Sequence, residues 1–262
     1  LFRLPDTWAS EIRVEMAATG LRMAALRPEV VTEEQVDRYM QQATMLATFT
    51  YASLLMLALV TLALFFASRD FGFLSFFVFC LAGVLLLAFF NGHLYLFDPF
   101  GIFGKLGGTG LHAMSLLFVI ASLRILLRYT DAPQSRPALA KAINNLCILS
   151  TLAIGLLLAW RERLDWLVAW CMPTAWLAGC LVALYVLIDA SRRRVPLAGA
   201  AFASTAMLAI SILAWELASR GIIAGSLWVT YGYQVAVVLC AAMVAVGLIS
   251  RISKYREQRD RE

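Results

Sequence analysis

The stretch "YASLLMLALVTLALFFASRDFGFLSFFVFCLAGVLLLAFF", residues 51–90, decides how this chain folds. It holds two apolar runs without a single charge, divided only by Arg69 and Asp70. A hydrocarbon layer about 30 Å thick needs about 20 apolar residues at a rise of 1.5 Å each. Each run is close to that length. The stretch reads as two membrane-spanning helices joined by a tight, charged turn.

The rest of the chain repeats this pattern. Apolar residues make up 61% of it and charged residues 15%, with a mean hydropathy of +0.78. A soluble domain is usually about 45–50% apolar and about 25% charged. Seven spans are expected, at 44–68, 71–92, 108–130, 138–160, 166–189, 197–218 and 226–250. The fold class is therefore an all-α membrane protein, a seven-helix bundle. The basic pI of 9.1 does not indicate nucleic acid, because the basic residues form short clusters between apolar runs. The lipid bilayer is the partner that composition implies. The five cysteines, Cys80, Cys147, Cys171, Cys180 and Cys240, all lie inside apolar runs. An odd number without a C-x-x-C spacing reads as buried small residues, not as disulfides or a zinc site.

Alternate separators carry unequal basic charge. One set holds Arg69; Arg128, Arg136 and Lys141; Arg192, Arg193 and Arg194; and Arg251, Lys254, Arg256, Arg259 and Arg261. The other holds Lys105, Arg161, Arg163 and Arg220. The positive-inside rule makes the richer set cytoplasmic. The amino terminus is then outside and the carboxyl terminus inside, as an odd number of spans requires.

Both ends differ from the bundle. "SEIRVEM" at 10–16 alternates polar and apolar residues, and "TG" at 19–20 marks a turn before "LRMAALR". This predicts a short extracellular β-hairpin within 1–31, the end of a larger sensory domain that begins upstream of Leu1. Thr32 is a candidate N-cap for a helix that runs into the first span. The module proper is expected over 32–250. Residues 251–262, "RISKYREQRDRE", contain no helix breaker, so the seventh helix is expected to continue into the cytoplasm. Ile252 and Tyr255 would lie on that exit helix, spaced from Leu248 like the start of a heptad seam.

Three stretches carry a family resemblance: "LALFFASRDFGFLSFFVFCLAGVLL" at 62–86, "FFNGHLYLFDP" at 89–99 and "RYTDAPQSRPALAKAI" at 128–143. In order, spacing and topology they resemble the seven-span membrane module of bacterial receptors with diverse intracellular signalling modules, the 7TMR-DISM family, over roughly 40–255. The resemblance implies a receptor in the bacterial inner membrane that passes a signal to a cytoplasmic output. That output is a diguanylate cyclase of cyclic di-GMP signalling, a phosphodiesterase, a histidine kinase or a phosphatase. It further implies a small-molecule or carbohydrate ligand taken by the ectodomain, and a homodimer. Residues 5–40 resemble the closing strands of the β-sandwich that often precedes the module. No output motif occurs in this chain, so no enzymatic activity is expected of it, nor any cofactor.

Candidate ligand contacts gather toward the outer half: Glu216, Trp215, Tyr231, His112, His93 and Trp170. Charge inside a span costs about 2.5–3.5 kcal/mol on insertion scales, which singles out Glu216. It has Arg220 one turn away as a structural partner. Arg124 and Asp189 near the other end suggest ion pairs or snorkelling. Asn144, Asn145 and Gln234 suggest interhelical hydrogen bonds. His93 and His112 lack the i, i+4 spacing of a metal site, although Asp98 is near in sequence. "GIFGKLGGTG" at 101–110 fails the phosphate-loop order and is expected to be a flexible connection. Pro173 is expected to kink the fifth span.

A small-molecule transporter is the competing reading, but such proteins usually show broken helices in repeated halves. A retinal protein needs a lysine deep in the last span, and Lys105, Lys141 and Lys254 do not supply it. An intramembrane enzyme needs a catalytic cluster at depth, and none is readable.

Overall fold

The computed structural model describes residues 33–96 and 101–259. Its long helices are α1 (Glu33–Ser68), α2 (Phe71–Phe90), α3 (Gly101–Tyr129), α4 (Pro137–Ala159), α5 (Arg161–Arg192), α6 (Ala198–Ser219) and α7 (Leu227–Arg259). All seven contain a stretch long and apolar enough to cross a membrane. A 3₁₀ turn, His93–Leu96, follows α2, and one helical turn, Ala132–Ser135, precedes α4. Hydrocarbon offers no water to a backbone N–H or C=O, so each span pairs these groups internally.

Outward faces remain greasy. Leu59, Leu149, Leu152, Leu181 and Ile210 are each more than 60% exposed on the isolated chain. In water such a surface would drive aggregation, whereas acyl chains solvate it.

Several sequence expectations meet the structure here. The first helix runs from Glu33 through its span without a break, and α7 continues past Ser250 to Arg259. Among the described residues there is no strand, and the hairpin expected within 1–31 lies outside them, as does Thr32. Residues 101–110 are the first turns of α3, not a flexible connection. Glycine in a water-exposed helix loses about 1 kcal/mol against alanine. Near hydrocarbon, internal backbone pairing outweighs that loss. The separator "RERLD" is likewise helical, forming the start of α5, and α5 passes through Pro173 as one helix.

The turn between α1 and α2 shows how two residues reverse the chain. Arg69 adopts the left-handed conformation, φ 57°, and its N–H closes α1 on the Phe65 carbonyl at 2.7 Å. Asp70 then caps α2, its carboxylate accepting from the Gly72 N–H at 2.7 Å. A Cβ on Gly72 would stand 3.1 Å from that carboxylate oxygen, so the glycine makes room for its own cap. With so short a link, α1 and α2 must lie side by side and antiparallel.

Six helices close a ring in the order α1, α2, α3, α5, α6, α7, and α7 returns to α1. The remaining helix, α4, lies outside the ring against α3 and α5. α7 also touches α2 and α3, which makes it the most central of the late helices. The core is aromatic where these helices meet. Phe118 of α3 stacks on Phe79 of α2 at 5.2 Å and on Trp176 of α5 at 5.8 Å. Gly83 permits this, since a Cβ there would come within 3.2 Å of the Phe118 ring.

Asp70→Ala removes the cap and is expected to lower stability by about 1 kcal/mol, while Asp70→Asn or Asp70→Ser should recover most of the loss. Reversible unfolding in mixed detergent micelles measures it, and an Asp70→Ala chain as stable as the parent contradicts the role.

Candidate functional site

Two networks of polar side chains link the helices, one toward each end of the bundle, and α7 reaches both regions. At the first end, the end of α2, the 3₁₀ turn, α1 and α7 converge on the Tyr51 hydroxyl. It lies 2.9 Å from His93 Nδ1 and 3.3 Å from the Leu87 carbonyl. It also accepts from Asn91 Nδ2 at 2.8 Å. Asn91 Oδ1 in turn accepts from Gln234 Nε2 of α7 at 2.9 Å. The hydroxyl donates to the Leu87 carbonyl, and the direction of its contact with His93 follows the tautomer of the imidazole. Gln234 is fully buried, and its Oε1 has no hydrogen-bond partner.

Beside this chain of bonds stands an aromatic cluster. Phe90 of α2 meets Trp215 of α6 edge-on at 5.0 Å and Tyr233 of α7 at 5.6 Å. Trp215 and Tyr233 are 6.4 Å apart. The Tyr233 hydroxyl lies 3.5 Å from Gln234 Nε2, a weak link between the two groups. Edge-to-face pairs of this kind add about 0.5–1.5 kcal/mol each beyond burial.

Of the candidate residues, the structure brings His93 and Trp215 into this one region. Tyr231 packs against Tyr39 of α1 at 6.3 Å, joining α7 to the first helix. Glu216 is 9% exposed and accepts from Arg220 Nε at 2.6 Å. A buried carboxylate held by an adjacent guanidinium has its charge compensated, which is the structural reading of that residue. His112 stands half-buried on α3. Trp170, Ile252 and Tyr255 lie on α5 and α7, their surroundings outside the described side chains. Asp98 also lies outside the described residues, and no group of three metal-ligating side chains occurs among the described ones.

At the opposite end, Asp189 of α5 bonds Arg193 at 2.9 Å and Arg136 at 3.2 Å. Arg193 also donates to the Thr130 carbonyl at 3.1 Å and to Ser135 Oγ at 2.6 Å. This ties the end of α5 to the connection between α3 and α4. The linker after α5 is strained, with Arg194 at φ 57° and Leu197 at φ 60°. Leucine in that region is a true outlier. Tyr129, fully buried at the end of α3, holds this linker by donating to the Pro196 carbonyl at 2.5 Å. The same ring lies against Gly247 of α7 so closely that any Cβ there would overlap it.

Residues 43–251 match the family described as 7TM diverse intracellular signalling, 7TMR-DISM. The chain belongs to that family. The match covers all seven spans apart from the first turns of α1 and the last of α7. No curated protein and no solved structure matched the chain significantly. A 7TMR-DISM chain is a membrane receptor signalling module, so the two polar ends and the helix between them are the places to look for its mechanism.

Sequence reasoning named Gln234 only as helix glue and missed Tyr51, Asn91, Tyr233, Tyr129 and Gly247. The available signal was depth, since a fully amide side chain in the middle of an apolar run rarely lacks a partner.

Tyr51→Phe removes the hub of the first network and is expected to cost about 1–2 kcal/mol, from hydrogen bonds averaging about 0.6 kcal/mol each in membranes. Gln234→Leu removes its own unpaired acceptor together with one donor, so its cost should be smaller. Unfolding of both variants and their double mutant tests the order. The double mutant should fall short of the sum, because the two share Asn91. A Gln234→Leu cost above that of Tyr51→Phe contradicts the network as described.

Proposed function

We propose that this 7TMR-DISM chain relays a signal across the bacterial inner membrane through α7. Basic residues concentrated at the Asp189 end favour that end as cytoplasmic. The amino-terminal side is then periplasmic, where a small molecule or carbohydrate acts through an ectodomain or on the first polar end. The output is a cytoplasmic diguanylate cyclase or histidine kinase, working as a homodimer.

Close packing of Gly247 on Tyr129 is the observation that carries this reading. Gln234 and Gly247 lie thirteen residues apart on one continuous helix, about 20 Å at 1.5 Å per residue. At Gln234 the helix is held by hydrogen bonds to the end of α2. At Gly247 it is held by shape, against a tyrosine that also restrains the strained α5–α6 linker. A packed contact of this kind has few arrangements, so it switches between packings instead of deforming smoothly. Relay requires two packings a few kcal/mol apart, with the signal favouring one. A rigid α7 that shifts or rotates at Gln234 must change its fit at Gly247 and move the segment leading to Arg259.

The test uses the full-length receptor with its own output assay. Gly247→Ala places a methyl group where the Tyr129 ring lies, an overpacking worth about 1–3 kcal/mol. It is expected to change basal output several-fold, in either direction. Adding Tyr129→Leu should restore the parental level by making room. A folded, membrane-inserted Gly247→Ala receptor with unchanged output contradicts the relay.

A further inference from the structure

Away from both polar ends, α2, α3, α5, α6 and α7 line a partly open cavity of about 90 Å³. Its wall is apolar almost throughout, with Leu123, Ala183, Leu208 and Val244 among the lining residues. A single water needs only about 10–15 Å³ of such space, and it also needs two to four polar partners. This wall offers few, because the Ser122 hydroxyl is already spent on the Phe118 carbonyl. The space is too large to be a packing defect around one methyl group and too apolar to hold ordered water.

The strongest unpaired donor among the described lining residues is an indole. Trp176 of α5 is 8% exposed, and its indole N–H has no hydrogen-bond partner. Buried tryptophans normally find an acceptor for that proton. Its ring is fixed by stacking on Phe118, so it is not free to turn elsewhere for a partner. An unpaired, buried donor on a residue that lines an apolar cavity sets the chemistry of a guest. The guest is apolar over most of its surface and carries an acceptor oxygen. It is also uncharged, since no opposite charge lines the cavity.

We propose that this cavity binds an uncharged, membrane-partitioned molecule bearing one acceptor oxygen, a ketone, ester or ether, with Trp176 as the donor that selects it. The site lies within the spans and is reached through the bilayer. Binding there stands independently of the relay, because it is read on the protein itself and not on any output.

Two photoreactive probes test it on the chain reconstituted in lipid nanodiscs. One is a medium-chain alkyl ketone carrying a diazirine. The other is the matching hydrocarbon without the oxygen. A phospholipid with a diazirine in its acyl chain serves as the bilayer control. Adducts are mapped by mass spectrometry. The ketone is expected to label lining residues such as Cys180 and Cys240 about threefold to tenfold more than the hydrocarbon, the advantage one hydrogen bond supplies. Trp176→Phe should abolish that preference. Ala183→Phe, and independently Leu208→Phe, should fill the space and remove cavity labelling by both free probes. Retained size-exclusion behaviour and unfolding midpoint would show that these variants fold. Equal labelling by all three probes would make the cavity a resting place for lipid tails and overturn the proposal. So would adducts confined to the lipid-facing Leu181 and Tyr185, or a ketone preference that survives Trp176→Phe.

Discussion

Hydrocarbon accepts no hydrogen bonds, and the helical spans and the buried polar networks of this chain follow from that constraint. Each unpaired backbone group at depth costs several kcal/mol, so the spans are helices from end to end. Even the glycine-rich start of α3 is helical, and α5 stays helical across Pro173 although proline lacks the N–H that would pair the Ala169 carbonyl. The constraint applies equally to side chains. Gln234, buried completely in an apolar helix, reaches Asn91, which reaches Tyr51, which reaches His93. Polar groups that cannot escape to water find one another, and in doing so they fasten α7 to α1 and α2.

The same helix is fastened differently at its other end. There the contact is steric, the bare backbone of Gly247 against the Tyr129 ring, with Tyr129 itself bonded to the α5–α6 linker. A directional polar anchor and a shape-dependent anchor sit on one rod that runs on to Arg259. The chain is a receptor signalling module of the 7TMR-DISM family, and the relay proposed above rests on that arrangement. A receptor module needs an element that is held at both ends yet able to exchange one packing for another. The ion pairs around Asp189 brace the neighbouring helices, although Arg136 is 60% exposed and contributes little stability on its own.

Much of the fold was legible because run length alone identifies a span. Arg69 and Asp70 between two uncharged runs were enough to place the α1–α2 hairpin, and Glu216 with Arg220 could be paired from a four-residue spacing. What escaped was contact between distant positions. Gln234 and Asn91 are 143 residues apart, and Asn91 and Tyr51 are 40 apart. Asp189 was visible as half of an ion pair, but Arg136, 53 residues earlier, was not visible as a partner. Glycine misled at 101–110 because its usual meaning as a breaker belongs to water. At Gly247 its meaning, room for a tyrosine, exists only once the helices are packed. A cavity is less legible still, since it is defined by what five helices leave unfilled.

The account depends most on an odd number of crossings, which sends α7 out on the face opposite to the one where α1 begins. Reporter fusions test this directly, with alkaline phosphatase, which matures only in an oxidising compartment, and a fluorescent protein that matures only in the cytoplasm. Each is joined in turn before residue 33 and after residue 259 of the membrane-inserted chain. The account predicts phosphatase activity only from the first position and fluorescence only from the second. The same reporter active at both positions would place the two ends on one face and contradict it.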